Sequence, residues 1–306
     1  AFGERLQDRA AESGQRRSEL NFTMQKRARM DSTLQAKRDR LVGLLREMGG
    51  CVIGFSGGVD STFLFAIAAE ELGDRVLAVT ATSETYPSRE LREARELAAG
   101  IGGRHRVIVS EELDIPGFSE NPEDRCYHCK KELFSKLRAI ADEEGLPHVL
   151  DGSNVDDLGD YRPGRTATRE LSVRSPLIEA GLSKNDIREL SRAMGLSTWD
   201  KPAFACLSSR FPYGVRITRE KLTRVGRAEE ALRDLGLRVV RVRHHGDVAR
   251  LELGPEEFLQ AVNGLRGEIV RLVKEAGYTY VALDLQGYRT GAMNETLSGL
   301  PAGEAQ

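Results

Sequence analysis

The sequence predicts an α/β protein, a parallel sheet with helices on both faces, followed by a smaller C-terminal α+β domain. Three observations lead there. Short apolar runs at 51–55, 76–81, 106–109 and 149–152 alternate with helical patterns, the texture of strand–helix–strand units and a parallel sheet. A glycine-rich turn, Gly54-Phe55-Ser56-Gly57-Gly58-Val59-Asp60-Ser61-Thr62, lies between the first run and a helix pattern. After about residue 200 the order becomes helix, strand, strand, helix, strand, which suits a second unit.

Along the chain, residues 1–35 are rich in Arg, Glu, Gln and Ala and predict a helical or disordered arm. The sheet domain is assigned to 36–205 and the second domain to 206–306. Leu34, Leu41, Leu44, Leu45 and Met48 recur at helical spacing and stop at Gly49-Gly50. Further helices are expected at 63–72, 87–100 and 132–144. In the second domain, 218–235 reads as a helix, and 238–244 and 248–253 as strands joined near Gly246-Asp247. A helix over 256–276 and a strand over 280–285 complete it.

Bulk properties narrow the function. A net charge of −2 gives no reason to expect a nucleic-acid surface. No apolar run reaches the length of a membrane span. The charged N-terminus lacks the apolar core of a signal peptide, so a cytoplasmic protein is expected. Four cysteines in 306 residues point to metal or redox chemistry rather than a disulfide framework.

The turn at 54–62 carries the first chemistry. Gly57 and Gly58 let the backbone approach a ligand with its N–H groups turned inward. The helix behind adds its positive end, so the site suits phosphate. Ser56, Ser61 and Thr62 add hydroxyls, and Asp60 a carboxylate that can reach a phosphate-bound Mg2+. The loop has no Lys, which separates it from the GxxxxGK[ST] loop of NTPases. Thr82-Ser83 and Asp151-Gly152 should fall at the same C-terminal strand ends, where open α/β sheets bind ligands. The run SGGVDS resembles the signature loop of the N-type ATP pyrophosphatases, the PP-loop enzymes. The resemblance implies ATP cleaved between the α- and β-phosphates, with Ser56, Gly57, Gly58, Val59, Asp60, Ser61 and Thr62 holding the pyrophosphate end.

Cys126-Tyr127-His128-Cys129 lies just before a helix predicted to begin near Lys130. Such a pair serves either as a redox dithiol or as two ligands to zinc or an iron–sulfur cluster. Cys206 is a candidate third ligand, which would leave one coordination position open. His128 is a weaker candidate for that position. Cys51 reads as a small buried hydrophobe.

With these cysteines, the chain resembles the ATP-dependent sulfur-insertion enzymes of nickel-pincer nucleotide biosynthesis, the LarE type, which help to build the lactate racemase cofactor. The resemblance rests on SGGVDST at 56–62, DGSNVDDLGDYRPGR at 151–165, KPAFACLSSRFPYG at 201–214 and LDLQGYRTGAMN at 283–294. It implies adenylation of the carboxylates of pyridinium-3,5-biscarboxylic acid mononucleotide, a small-molecule nucleotide, followed by displacement of AMP by sulfur. One branch sacrifices the sulfur of a cysteine matching Cys206. Another binds a [4Fe–4S] cluster through three cysteines, and Cys126, Cys129 and Cys206 match that branch, which draws on an external sulfide source. The resemblance also implies a homo-oligomer. Other PP-loop activities, tRNA thiolation or amidation, remain the alternative.

Several residues stay open between function and structure. Asp151 is expected at the nucleotide. Asn154, Asp156 and Asp157 either meet magnesium or ribose or merely shape a turn, and Arg162 and Arg165 either meet phosphates or face water. Arg241, Arg243 and His245 share one face of a predicted strand, which suits the substrate phosphate. Arg210 is expected to orient an anionic substrate beside Cys206, and Glu229 and Glu230 to face water. Trp199 is expected to pack at the domain junction.

Overall fold

The strands of the first sheet are short and, apart from the half-exposed edge strand Arg104–Val109, built mainly from Val, Ile, Leu and Ala, residues that suit a pleated surface covered on both sides. In this computed structural model, which describes residues 32–159, 163–202, 205–289 and 291–296, they are β1 (Cys51–Gly54), β2 (Val76–Thr82), β3 (Arg104–Val109) and β4 (His148–Leu150). All pair in parallel, in the order β3-β2-β1-β4. Most of the expected N-terminal arm, and Arg162, lie outside the described residues.

Helices α1 (32–48), α2 (Val59–Leu72) and α3 (Ser88–Ile101) cover one face, and α4 (Arg125–Glu143) the other. Alternation along β1 assigns the faces. Cys51 and Ile53 join Leu41, Leu45, Phe63 and Ile67, whereas Val52 joins Phe134 and Leu137 of α4. Cys51 is fully buried, as expected, and burial pushes its thiol up to about 12. Among the described residues no helix is long and apolar enough to cross a membrane.

Three short helices follow β4 that the periodicity did not reveal: α5 (Gly164–Glu170), α6 (Pro176–Glu179) and α7 (Lys184–Ala193). Only α7 announces itself locally, through a capping box between Ser183 and Asp186. The second unit contains α8 (Arg219–Asp234), an antiparallel pair β5 (Val240–His245) and β6 (Val248–Leu253), and β7 (Tyr280–Leu283) parallel to β6. It has its own apolar cluster, which runs from Leu207 to Tyr278. The single helix expected over 256–276 is in fact two, α9 (Pro255–Asn263) and α10 (Arg266–Glu275). The break falls at Asn263-Gly264, both poor helix formers, where the Leu265 N–H turns back to the Gln260 carbonyl.

Backbone bonds tie the two units together. Leu207 N–H donates to the Thr85 carbonyl at 2.9 Å, Gly214 to Asn121 at 2.9 Å and Ile217 to Ser119 at 2.8 Å. The segment carrying Cys206 is thereby held against the C-terminal edge of the first sheet.

Candidate active site

The loop after β1 has the form its sequence predicts. Gly57 has φ +67°, and a Cβ there would stand 3.2 Å from Ala94. Gly58 caps α2 in an extended conformation without a side-chain cap, which leaves the first-turn N–H groups to a ligand. Ser61 Oγ accepts from the Ser56 N–H at 3.3 Å and lies 3.2 Å from Ser56 Oγ. Thr62 Oγ1 is buried without a partner among the described residues. Gly152 packs on the same helix turn, where a Cβ would stand 3.1 Å from the Ser61 backbone nitrogen.

Two lysines beside the loop were missed by sequence reasoning, because each comes from a distant segment. Lys184, at the start of α7, donates to Asp60 Oδ2 at 2.6 Å, while Asn154 Nδ2 donates to Oδ1 at 3.3 Å. Lys201 donates to the Gly57 carbonyl at 3.2 Å and to Glu90 and Glu93 at 2.8 Å each. Burial opposes its charge, yet the two carboxylates raise its pKa. Asp60 is a single carboxylate beside a phosphate-shaped loop, the kind of ligand set that Mg2+ shares with nucleotide phosphates. Asp151 is buried and accepts from Ser153 Oγ at 2.7 Å and Ser175 Oγ at 2.6 Å. Asp157 completes a capping box with Asn154, and Asp156 accepts the Lys184 N–H, so both acids shape the backbone.

The cysteine pair is placed differently from expectation. Helix α4 begins at Arg125, so Cys126 and Cys129 lie within its first two turns and not before it. At a spacing of three they share one side of the helix. Cys206 comes from the other unit, just before the 3₁₀ turn Leu207–Arg210. The three thiols are close enough to act on one another: burial, then Glu112, Cys206 and Cys126 raise the Cys129 pKa. Burial raises that of Cys206 as well, with Arg125 and Arg210 opposing. Among the described residues no group is drawn together tightly enough for a single metal ion. A four-iron cluster spaces its thiolates more widely than one ion does, and three free thiols on two segments fit it in kind and number. His128 turns to Asp124, 3.4 Å away, and is not part of the group.

In the second unit the arginines differ most from expectation. Arg210 is fully buried and forms a two-pronged pair with Glu229, at 2.7 and 2.9 Å. Its third nitrogen donates to the carbonyls of Ala205 and Cys206. It shapes the Cys206 segment from a fully buried position rather than reaching into open space beside the thiol. Glu229, expected in water, is fully buried and also accepts from Arg233 and the Val242 N–H. Burial would raise its pKa, but Arg210, Arg233 and Arg241 bring it down to about 2. The open basic face expected of β5 is absent. Arg241 and Arg243 are buried, Arg243 pairs with Glu252 at 2.6 Å, and only His245 is exposed. Arg241 stacks over Tyr288, and burial and Arg210 lower its pKa to about 10. It still borders a cleft of about 1110 Å³ between the units, with Thr62 and Lys201 at one part and Arg233 and Arg238 at another. None of the cysteines lines that cleft.

Comparison with known proteins decides the family. Residues 46–126, from the end of α1 to the first cysteine of the pair, match the asparagine synthase family. An uncharacterized protein of Synechocystis sp. is 46% identical over 266 residues, 87% of this chain and 99% of its own. The pyridinium-3,5-bisthiocarboxylic acid mononucleotide synthase of Lactiplantibacillus plantarum is 40% identical over 268 residues, 87% of this chain and 97% of that one. The chain belongs to this synthase family. It is an ATP-using enzyme of the PP-loop type. The likeness to the synthase extends well past the asparagine synthase match and takes in the second unit.

Proposed function

We propose that the protein converts the carboxylates of pyridinium-3,5-biscarboxylic acid mononucleotide into thiocarboxylates, a step in making the lactate racemase cofactor. A carboxylate oxygen attacks the α-phosphorus of ATP and pyrophosphate leaves. A sulfur nucleophile then attacks the acyl carbon, and AMP departs with the former carboxylate oxygen. The observation that carries this reading is the meeting of three thiols from two units beside the C-terminal edge of the sheet that bears the ATP loop. An activated acid and its sulfur source would share one site.

Each group then has a task. The Gly57–Thr62 backbone and hydroxyls bind the departing pyrophosphate, and Lys184 faces its charge. Asp60 would hold Mg2+, which would supply charge neutralisation at the phosphates. Thr82 and Ser83 flank the nucleotide, and Asp151 with Gly152 supports the loop from behind. Cys126, Cys129 and Cys206 would hold a [4Fe–4S] cluster, which would supply the sulfur for transfer.

The test is iron and acid-labile sulfide content after anaerobic purification, beside the Cys126→Ala variant. About four irons per chain, lost in the variant together with repeated turnover, is the expected result. Full thiocarboxylate formation by iron-free protein, with Cys206 converted to dehydroalanine, would instead make Cys206 a single-use donor.

A further inference from the structure

The turn at 82–86 touches both the ATP loop and the Cys206 segment, although only its first two residues drew attention in the sequence. Tyr86 donates from its hydroxyl to the Ser56 carbonyl at 2.8 Å, so one end of the turn holds the ATP loop. The Thr85 carbonyl accepts the Leu207 N–H at 2.9 Å, so its middle holds the residue after Cys206. The other cysteine arm is reached through Glu112, which follows β3. One oxygen of Glu112 accepts from Ser83 Oγ at 3.1 Å and from Thr85 Oγ1. Its other oxygen accepts from the Cys129 thiol at 3.3 Å. Two hydroxyls thus fix a carboxylate whose free oxygen is directed at a cysteine, as outer partners fix the groups around a metal or reactive sulfur.

We infer that Glu112 is a positioning residue that fastens the sulfur site to the ATP loop through the 82–86 turn, and so couples adenylation to sulfur transfer. The inference rests on the proposed sulfur-transfer reaction and on the protein before any cluster is bound, since the link to Glu112 is the Cys129 S–H, which a thiolate ligand lacks. Without the fastening, the sulfur stands away from the acyl carbon. Water then attacks the acyl adenylate: its oxygen forms the new bond to carbon, AMP leaves, and the original acid returns. ATP is spent and no thiocarboxylate forms. Misplacement of a reacting group by about 1 Å is enough to cost up to a hundredfold.

The test is the amount of thiocarboxylate formed per AMP released, measured with pyridinium-3,5-biscarboxylic acid mononucleotide, ATP and sulfide on wild type, Glu112→Gln and Glu112→Ala. Gln keeps an oxygen for the two hydroxyls but turns toward Cys129 without a charge. The expected ratio falls in the order wild type, Gln, Ala, with Ala down by roughly tenfold or more, while AMP release changes far less. Folding is checked by thermal melting, and Tyr86→Phe, which removes only the hydroxyl on the ATP loop, should lower the same ratio. A ratio equal to wild type in Glu112→Ala, or a parallel fall of AMP and thiocarboxylate in both Glu112 variants, would overturn the inference and leave the proposed reaction standing. Failure of wild type to make thiocarboxylate would overturn both.

Discussion

The two halves of this molecule handle charge in opposite ways. Around the ATP loop, the binding groups are backbone N–H groups, small hydroxyls and half-exposed charged ends such as Asp60 and Lys184. In the second unit, Arg210, Glu229, Arg243 and Glu252 are buried, and each charge is held by another. The first arrangement leaves donors for a ligand. The second uses them up in structure, because an unpaired buried charge is too costly to keep. Basic residues on a strand therefore do not by themselves make an anion site; what faces them decides.

That contrast can be broken most forcefully at Glu229. Replacing it with Ala leaves Arg210 and Arg233 without their shared carboxylate, and should destabilise the protein by about 3–5 kcal/mol. Urea denaturation measures this, and a loss below about 1 kcal/mol would mean that the charges re-pair easily. Asp60→Asn should act in the reverse manner. It should cut ATP cleavage by about a hundredfold, followed as pyrophosphate release, with little change in melting temperature because the side chain is only half-buried.

Acid should strike the second unit through two groups. Burial, then Lys221 and Arg224, lower the His244 pKa from 6.5 to about 4. The folded state therefore resists a proton that the unfolded chain takes up. That stability is complete above pH 6.5 and is lost as pH falls toward 4, an effect of about 2–3 kcal/mol. Glu229, lowered from 4.5 to about 2, extends the loss: its contribution is present above pH 4.5 and disappears as pH falls through 2. Denaturation midpoints at pH 7.5, 5.5 and 4 read the slope, and His244→Gln should flatten its upper part. The smallest effect is expected from Gly57→Ala. Its positive φ costs a side chain about 1–2 kcal/mol, and the contact with Ala94 shifts the loop. ATP affinity should fall more than stability does.

Much of the first unit was legible because local rules agree there. Strand runs, the glycine turn and the helix behind it sit next to one another in the chain, and backbone geometry alone makes a phosphate cradle from them. The CxxC pair was legible as a pair but not in place: Asp124-Arg125 can begin a helix as well as Lys130 can, and packing of α4 on α5 and the sheet extends it. Lys184, Lys201 and Glu112 gave no signal, since a lone charge in a polar segment looks like a solvated one. Glu229 was misread for the same reason.

The α/β fold, the ATP loop and the identity of three thiols follow from the chain's own stretches, because each depends on neighbours along the chain or on residue chemistry. Which charges meet is set by folding in three dimensions. It buries Arg210 against Glu229, brings Lys184 to Asp60, and joins Cys129 to the ATP loop through Glu112 and the 82–86 turn. Those pairs span 19, 124 and 17 positions, and at such separations what a side chain faces follows from packing, not from its own stretch of sequence.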